Sequence, residues 1–120
     1  MKHKITDSEL EVMRLLWRKG RPLSFTEIRT ELENSTKWSK STIQTLLVRL
    51  RDKGAISTKT EHVTLYSPNI TEQEYEISEG KSFLDRVFNG NAKKLVVSLF
   101  EHGQLSERDI DELRQLFIKE

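Results

Sequence analysis

Apolar residues recur along most of the chain at intervals of three and four, the spacing of one helical face. Leu10, Met13, Leu16 and Trp17 line the buried side of a first helix, and Ile43, Leu46, Leu47 and Leu50 form a single stripe on another. Three further sets follow toward the C-terminus: Phe83, Leu84, Val87 and Phe88, then Leu95, Val96, Leu99 and Phe100, then Ile110, Leu113, Leu116 and Phe117. Start signals match these stripes. Thr6 with Glu9, Ser24 with Glu27 and Thr71 with Glu74 fit capping boxes, and Ser39 and Ser106 offer simpler caps. Gly20, Gly54, Gly90 and Gly103 each stand just past a proposed end, where a left-handed residue costs least. The spacing predicts helices over 7–19, 25–34, 40–53, 72–89, 92–102 and 107–118.

Between 55 and 67 the period changes. Ser57, Thr58, Thr60, Val63, Thr64 and Tyr66 favour strand, with Glu61-His62 as the polar tip of a hairpin and Pro68 ending its second strand. The tip lacks the Asn-Gly or Asp-Gly of a secure two-residue turn. Three helices followed by a two-stranded wing make a winged helix-turn-helix. The fold class expected is mainly α with a small β-hairpin: a winged-helix DNA-binding domain over 1–70, then a three-helix dimerisation region over 71–120.

Charge sharpens this division. Of 120 residues, 20 are Lys or Arg and 19 Asp or Glu, so the whole chain carries only +1. Residues 1–70 hold 13 basic against 8 acidic side chains, whereas 71–120 hold 7 against 11. A positive front and a negative back suggest that the first part meets a polyanion and the second is held away from it. Composition excludes other chemistry. Cysteine is absent, so there is no disulfide, thiolate metal site or thiol nucleophile, and His3, His62 and His102 are too scattered for a local ligand motif. No glycine-rich phosphate loop occurs, so neither enzyme activity nor a cofactor is expected. No apolar run approaches the roughly 20 residues that span a bilayer, and the start lacks a signal-peptide core, so a cytoplasmic protein is expected.

Helix 40–53 carries the most information. Opposite its apolar stripe lie Ser41, Thr45, Val48 and Asp52, flanked by Gln44 and Arg49. Short hydroxyls, Gln and Arg are side chains that hydrogen-bond base edges in a major groove. Lys40 and Arg51 lie toward the sides, placed for phosphates. An ordinary solvated face would show much the same pattern, and single exposed valines are common. Val48 favours the groove, because an apolar residue in a polar face is explained if it touches a thymine methyl. Asp52 would be repelled by phosphate, so the N-terminal part of the helix is the part expected to enter. On the hairpin, Lys59 and His62 are candidate phosphate contacts, with plain solvent exposure as the alternative. Trp17 and Trp38 read as core aromatics, Trp38 as a staple ahead of the third helix.

The last 50 residues are too few to stabilise themselves comfortably. Their twelve large apolar residues (Phe83, Leu84, Val87, Phe88, Leu95, Val96, Leu99, Phe100, Ile110, Leu113, Leu116 and Phe117) exceed what three short helices hide. Pairing with a second copy would cover them, as would packing against the N-terminal domain of the same chain. A dyad-related pair of helices would also read a palindrome where one helix reads a few base pairs.

These residues resemble the BlaI/MecI penicillinase repressors. Glu9-Leu10-Glu11-Val12-Met13 with Leu16-Trp17 resembles their first helix, and Ser41-Thr42-Ile43-Gln44-Thr45-Leu46-Leu47-Val48-Arg49-Leu50 their recognition helix. Tyr66-Ser67-Pro68 is similar to the end of their wing. Lys81-Ser82-Phe83-Leu84-Asp85-Arg86-Val87-Phe88 followed by Gly90, and Leu105-Ser106-Glu107 with Ile110, Glu112, Leu113, Arg114 and Leu116, resemble their dimerisation helices. The resemblance spans nearly the whole chain and adds Thr42 to the DNA-facing set. It implies a homodimeric repressor of β-lactamase or resistance genes, bound to dyad-symmetric operators typically built on TACA/TGTA half-sites. It also implies a membrane-bound β-lactam sensor whose pathway cuts the repressor at an Asn-Phe bond, a bond that maps to Ser98-Leu99 here. Both residues differ from the family's pair. The related CopY repressors sense copper through a C-terminal Cys-x-Cys pair, and this chain has no such pair. Two other functions fit the pattern less fully: a winged-helix regulator answering a different signal or small ligand, and a protein-interaction module that no longer binds DNA.

Overall fold

The computed structural model describes residues 4–118, which leaves His3 outside the described residues. Thr6 opens α1 (Asp7–Lys19) with a complete capping box, its hydroxyl accepting from the Glu9 amide while the Glu9 carboxylate accepts from the Thr6 amide. Gly20 closes this helix at φ 67°, a left-handed conformation that a β-carbon would strain. A two-residue strand, β1 (Leu23–Ser24), leads into α2 (Phe25–Ser35), which Ser24 and Glu27 cap in the same reciprocal way. Ser39 caps α3 (Lys40–Asp52). Next come β2 (Ile56–Thr60) and β3 (Thr64–Pro68), then α4 (Glu72–Phe88), α5 (Ala92–Glu101) and α6 (Glu107–Ile118). Thr71 with Glu74 and Ser106 with Asp109 also make reciprocal caps, and Asn91 caps α5.

Two features differ from the sequence expectation. The wing is a three-stranded antiparallel sheet in the order β1-β3-β2, not a two-stranded hairpin. Leu23 faces Tyr66 and Ser24 faces Leu65, so β1 is held entirely by tertiary pairing. The tip also has three residues, since Thr60 pairs with Thr64 and the Glu61 amide donates to the Val63 carbonyl. Val63 therefore leaves the strand and is exposed. Asn69 closes the base of the wing, its amide donating to Ala55 and its side chain to Gly54.

Two compact units divide the chain, one running to Tyr75 and the other starting at Glu76. In the first, α1 contributes Val12, Met13, Leu15 and Leu16 to a closed core, a broader face than the sequence spacing suggested. Ile28 and Leu32 of α2, Ile43, Leu46, Leu47 and Leu50 of α3, and Leu23, Ala55 and Ile56 of the sheet complete it. Trp17 and Trp38 pack at its edge, and the Trp17 indole donates to the Ile70 carbonyl at 2.9 Å. In the second unit, no described residue is buried.

Candidate nucleic-acid interface

Two elements fix α3 at its ends. Before it, Thr36 builds the turn from α2: its hydroxyl donates to the Leu32 carbonyl at 2.6 Å and accepts from the Trp38 amide. This places Trp38 against the core and leaves Lys37 exposed, three positions ahead of Lys40. After it, Lys53 reaches back to the start of α1, where its ammonium donates to the Lys4 carbonyl and to Glu9 Oε1. Glu9 is fully buried, and its second oxygen has no hydrogen-bond partner among the described residues. Burial alone would raise this carboxyl. Hydrogen bonds from Lys53 and the Thr6 amide, together with the Lys53 charge, outweigh that and hold it below the ordinary range.

With its apolar stripe sealed in the core, α3 presents Lys40, Ser41, Thr42, Gln44, Thr45, Arg49 and Arg51 as exposed residues. Val48, 38 % exposed, lies among them. Ser39, Lys40, Ser41, Gln44, Thr45 and Val48 line a shallow concavity of about 660 Å³. Hydroxyls order its rim: Ser39 Oγ lies 3.2 Å from Ser41 Oγ and 3.1 Å from Thr42 Oγ1, and Thr45 Oγ1 donates to the Ser41 carbonyl at 2.9 Å. Lys59 and His62 are exposed on the wing, but Lys59 is 3.3 Å from Glu61, a contact the sequence reading did not include.

Ion pairs occupy most cations elsewhere in the first unit, Lys4 and Arg18 excepted. Arg14, Lys19, Arg21 and Arg29 each pair with a glutamate, and Lys53 with Glu9. The Arg21 guanidinium and the Ser24 amide pull Glu27 down to about 2. Among the described residues, Lys37, Lys40 and Arg49 make no ion pair within 4 Å, and Arg51 reaches Asp52 only at 4.0 Å. Nor does the first turn of α3 carry an acid, so its positive helix end is not offset locally. Sequence reasoning missed Lys37, because only the folded chain shows that no carboxylate among the described residues comes within 4 Å of it.

In the second unit the twelve apolar residues divide evenly. Leu84, Phe88, Leu95, Leu99, Ile110 and Leu113 are half-buried, while Phe83, Val87, Val96, Phe100, Leu116 and Phe117 are exposed. Ile77, Val97 and Ile118 are exposed too and were not singled out from the sequence. Ser98 and Leu99 lie inside α5, half-buried. Among the described residues no group of three or more His, Cys, Asp or Glu side chains converges to hold a metal, and no helix is long and apolar enough to cross a membrane.

Known proteins match this arrangement. The family model described as penicillinase repressor aligns with residues 5–119. The penicillinase repressor of Bacillus licheniformis is 42 % identical over 113 residues, covering 93 % of this chain and 88 % of the relative. The methicillin resistance regulatory protein MecI of Staphylococcus aureus (strain N315) is 32 % identical over 118 residues, 98 % of this chain and 95 % of the relative. Among solved structures, monomeric Bacillus licheniformis BlaI in complex with the blaP half-operator is similar at TM-score 0.55 and 41 % identity, covering 62 % of this chain and 92 % of that one. A match along nearly all of its length, by family model and by relatives alike, makes this chain a member of the penicillinase repressor family.

Proposed function

We propose that the chain is a homodimeric transcriptional repressor that occupies dyad-symmetric operator DNA and controls β-lactamase or β-lactam-resistance genes. The observation that carries this reading is the face of α3. It combines hydrogen-bonding side chains with Lys40 and Arg49, which make no ion pair among the described residues, on a helix anchored by hydrogen bonds at both ends. Each protomer inserts the N-terminal part of α3 in the major groove, where Gln44, Thr45 and Arg49 meet base edges. Lys37, Lys40 and Arg51 hold phosphates beside it, and the wing brings Lys59 and His62 to the backbone. The solved BlaI–half-operator complex supports this placement by its likeness to the first unit. Domain roles follow: residues 1–70 bind DNA, and 71–120 pair two copies through the exposed apolar side chains.

Release by proteolysis fits the same arrangement. The bond at Ser98-Leu99 sits within α5, and the Ser98 carbonyl accepts from the His102 amide at 3.1 Å. A protease needs an extended chain, so cutting here requires local unwinding of α5 and would dismantle the pairing surface. A membrane-bound β-lactam sensor would start that step.

Gel-shift of the intact chain with a blaP operator duplex and with a scrambled duplex of equal length tests the reading. A shift on the operator at much lower protein concentration supports it, and equal shifts on both duplexes count against it. Arg49→Ala is expected to weaken operator binding by roughly 1–3 kcal/mol and to relax discrimination if the guanidinium reads a base.

A further inference from the structure

The concavity on α3 has walls that are mostly carbon although its rim is polar. Ser41, Thr45 and Val48 stand at i, i+4 and i+7, one line along the helix, with Gln44 adjacent. Two of these side chains are more constrained than their residue types suggest. The single hydroxyl proton of Thr45 is committed to the Ser41 carbonyl, so its oxygen can accept a hydrogen bond but has none to donate. Val48 has no polar atom at all, yet it is 38 % exposed in the middle of this face. Gln44, by contrast, has both a donor and an acceptor, and no hydrogen bond among the described residues occupies either.

Each base pair shows a different major-groove edge to such a surface. Guanine offers two acceptors and would meet, at Thr45, an oxygen without a proton. Adenine offers one groove-facing N6–H as donor and N7 as acceptor, the complement of a glutamine amide, and this pairing asks no proton of Thr45. Thymine, the partner of adenine, adds a C5-methyl group. Resting on the reading of α3 as the DNA-contacting helix, we propose that Gln44, Thr45 and Val48 together select one thymine–adenine pair in each half-site. The thymine methyl seats against Val48 in the concavity, and the adenine edge bonds to Gln44. This makes Val48 a specificity-determining residue through contact with carbon, not through a hydrogen bond.

The test removes one methyl group and nothing else. Duplexes bound by the intact chain are selected from a randomised pool, and each thymine of the preferred site is then replaced singly by deoxyuridine. One position per half-site is expected to lose roughly four-fold in affinity, the effect of one buried methyl group, and about fifteen-fold when both half-sites are altered. Val48→Ala, on an exposed position that leaves the core untouched, is expected to bind thymine and uracil duplexes equally. If every deoxyuridine duplex binds as well as its parent, or if Val48→Ala keeps the wild-type preference for thymine, the inference is overturned while α3 remains the DNA-binding element. If the pool yields no preferred duplex, the DNA-binding reading itself falls and takes the inference with it.

Discussion

The two units solve the same problem differently. The first closes a core of fourteen buried hydrophobic residues around three helices and a sheet. The second strings three amphipathic helices together and buries none of its described residues, leaving Phe83, Val87, Val96, Phe100, Leu116 and Phe117 in solvent. One is finished as a single chain, and the other leaves its apolar side chains open for the second copy proposed above. Large apolar side chains exposed in such number point to an interaction surface. Charge separates the units as well, since the first 70 residues carry 13 basic against 8 acidic side chains while the remainder is acidic overall.

The largest effect expected from breaking this contrast comes from charge placed on the second unit. Val96→Asp combined with Phe100→Asp should turn a dimer into monomers by sedimentation. It should also weaken binding to a two-half-site duplex by roughly 10²–10⁴-fold, the gain that linkage of two sites provides. Next comes the core. Leu47→Ala should destabilise the first unit by about 2–5 kcal/mol in denaturant unfolding, because a closed core relaxes little around the lost volume. Phe117→Ala, at a residue 82 % exposed, should leave the stability of the monomeric double variant unchanged.

Lys53→Met tests the brace on α3. It strands the buried Glu9 carboxylate, at a cost of about 3 kcal/mol, toward the lower end for buried pairs because Lys53 is partly open to solvent. Glu9 also gives a pH signature. Its folded-state pKa lies below the unfolded value of roughly 4.3. Its contribution is therefore fully present above that value and is lost as pH falls through the lower, folded one. Glu9→Gln should lack this part of the acid dependence, visible as the difference between the two stability–pH curves. A small effect on binding is expected of Lys37→Ala, which should lower the salt slope of operator binding by about one phosphate per protomer without changing sequence preference.

Helix ends were legible in the sequence because their signals are local. Thr6 with Glu9 and Ser24 with Glu27 act within one turn, and α1 and α2 begin where those caps put them. β1 was not legible: two residues after a proline have no period, and Leu23 becomes strand only because Tyr66 lies 43 positions on in sequence. The apolar stripe of α3 determined which side chains face outward, so the exposed face could be read from spacing alone. What spacing could not convey is pairing. Glu9 read as a capping residue, whereas its burial and its bond to Lys53, 44 residues away, depend on the folded chain. Lys37 and Lys59 show the same limit in opposite senses, one left without an anion and the other given Glu61.

The most direct measurement is the affinity of the intact chain for a duplex with two selected half-sites and for a duplex with one, each between 50 and 200 mM salt. Two copies each placing α3 against phosphates predict a preference for the paired site of at least a hundred-fold, with affinity falling by about 10³–10⁵ across that range. Equal affinity for the two duplexes, or binding that ignores salt, would contradict the account.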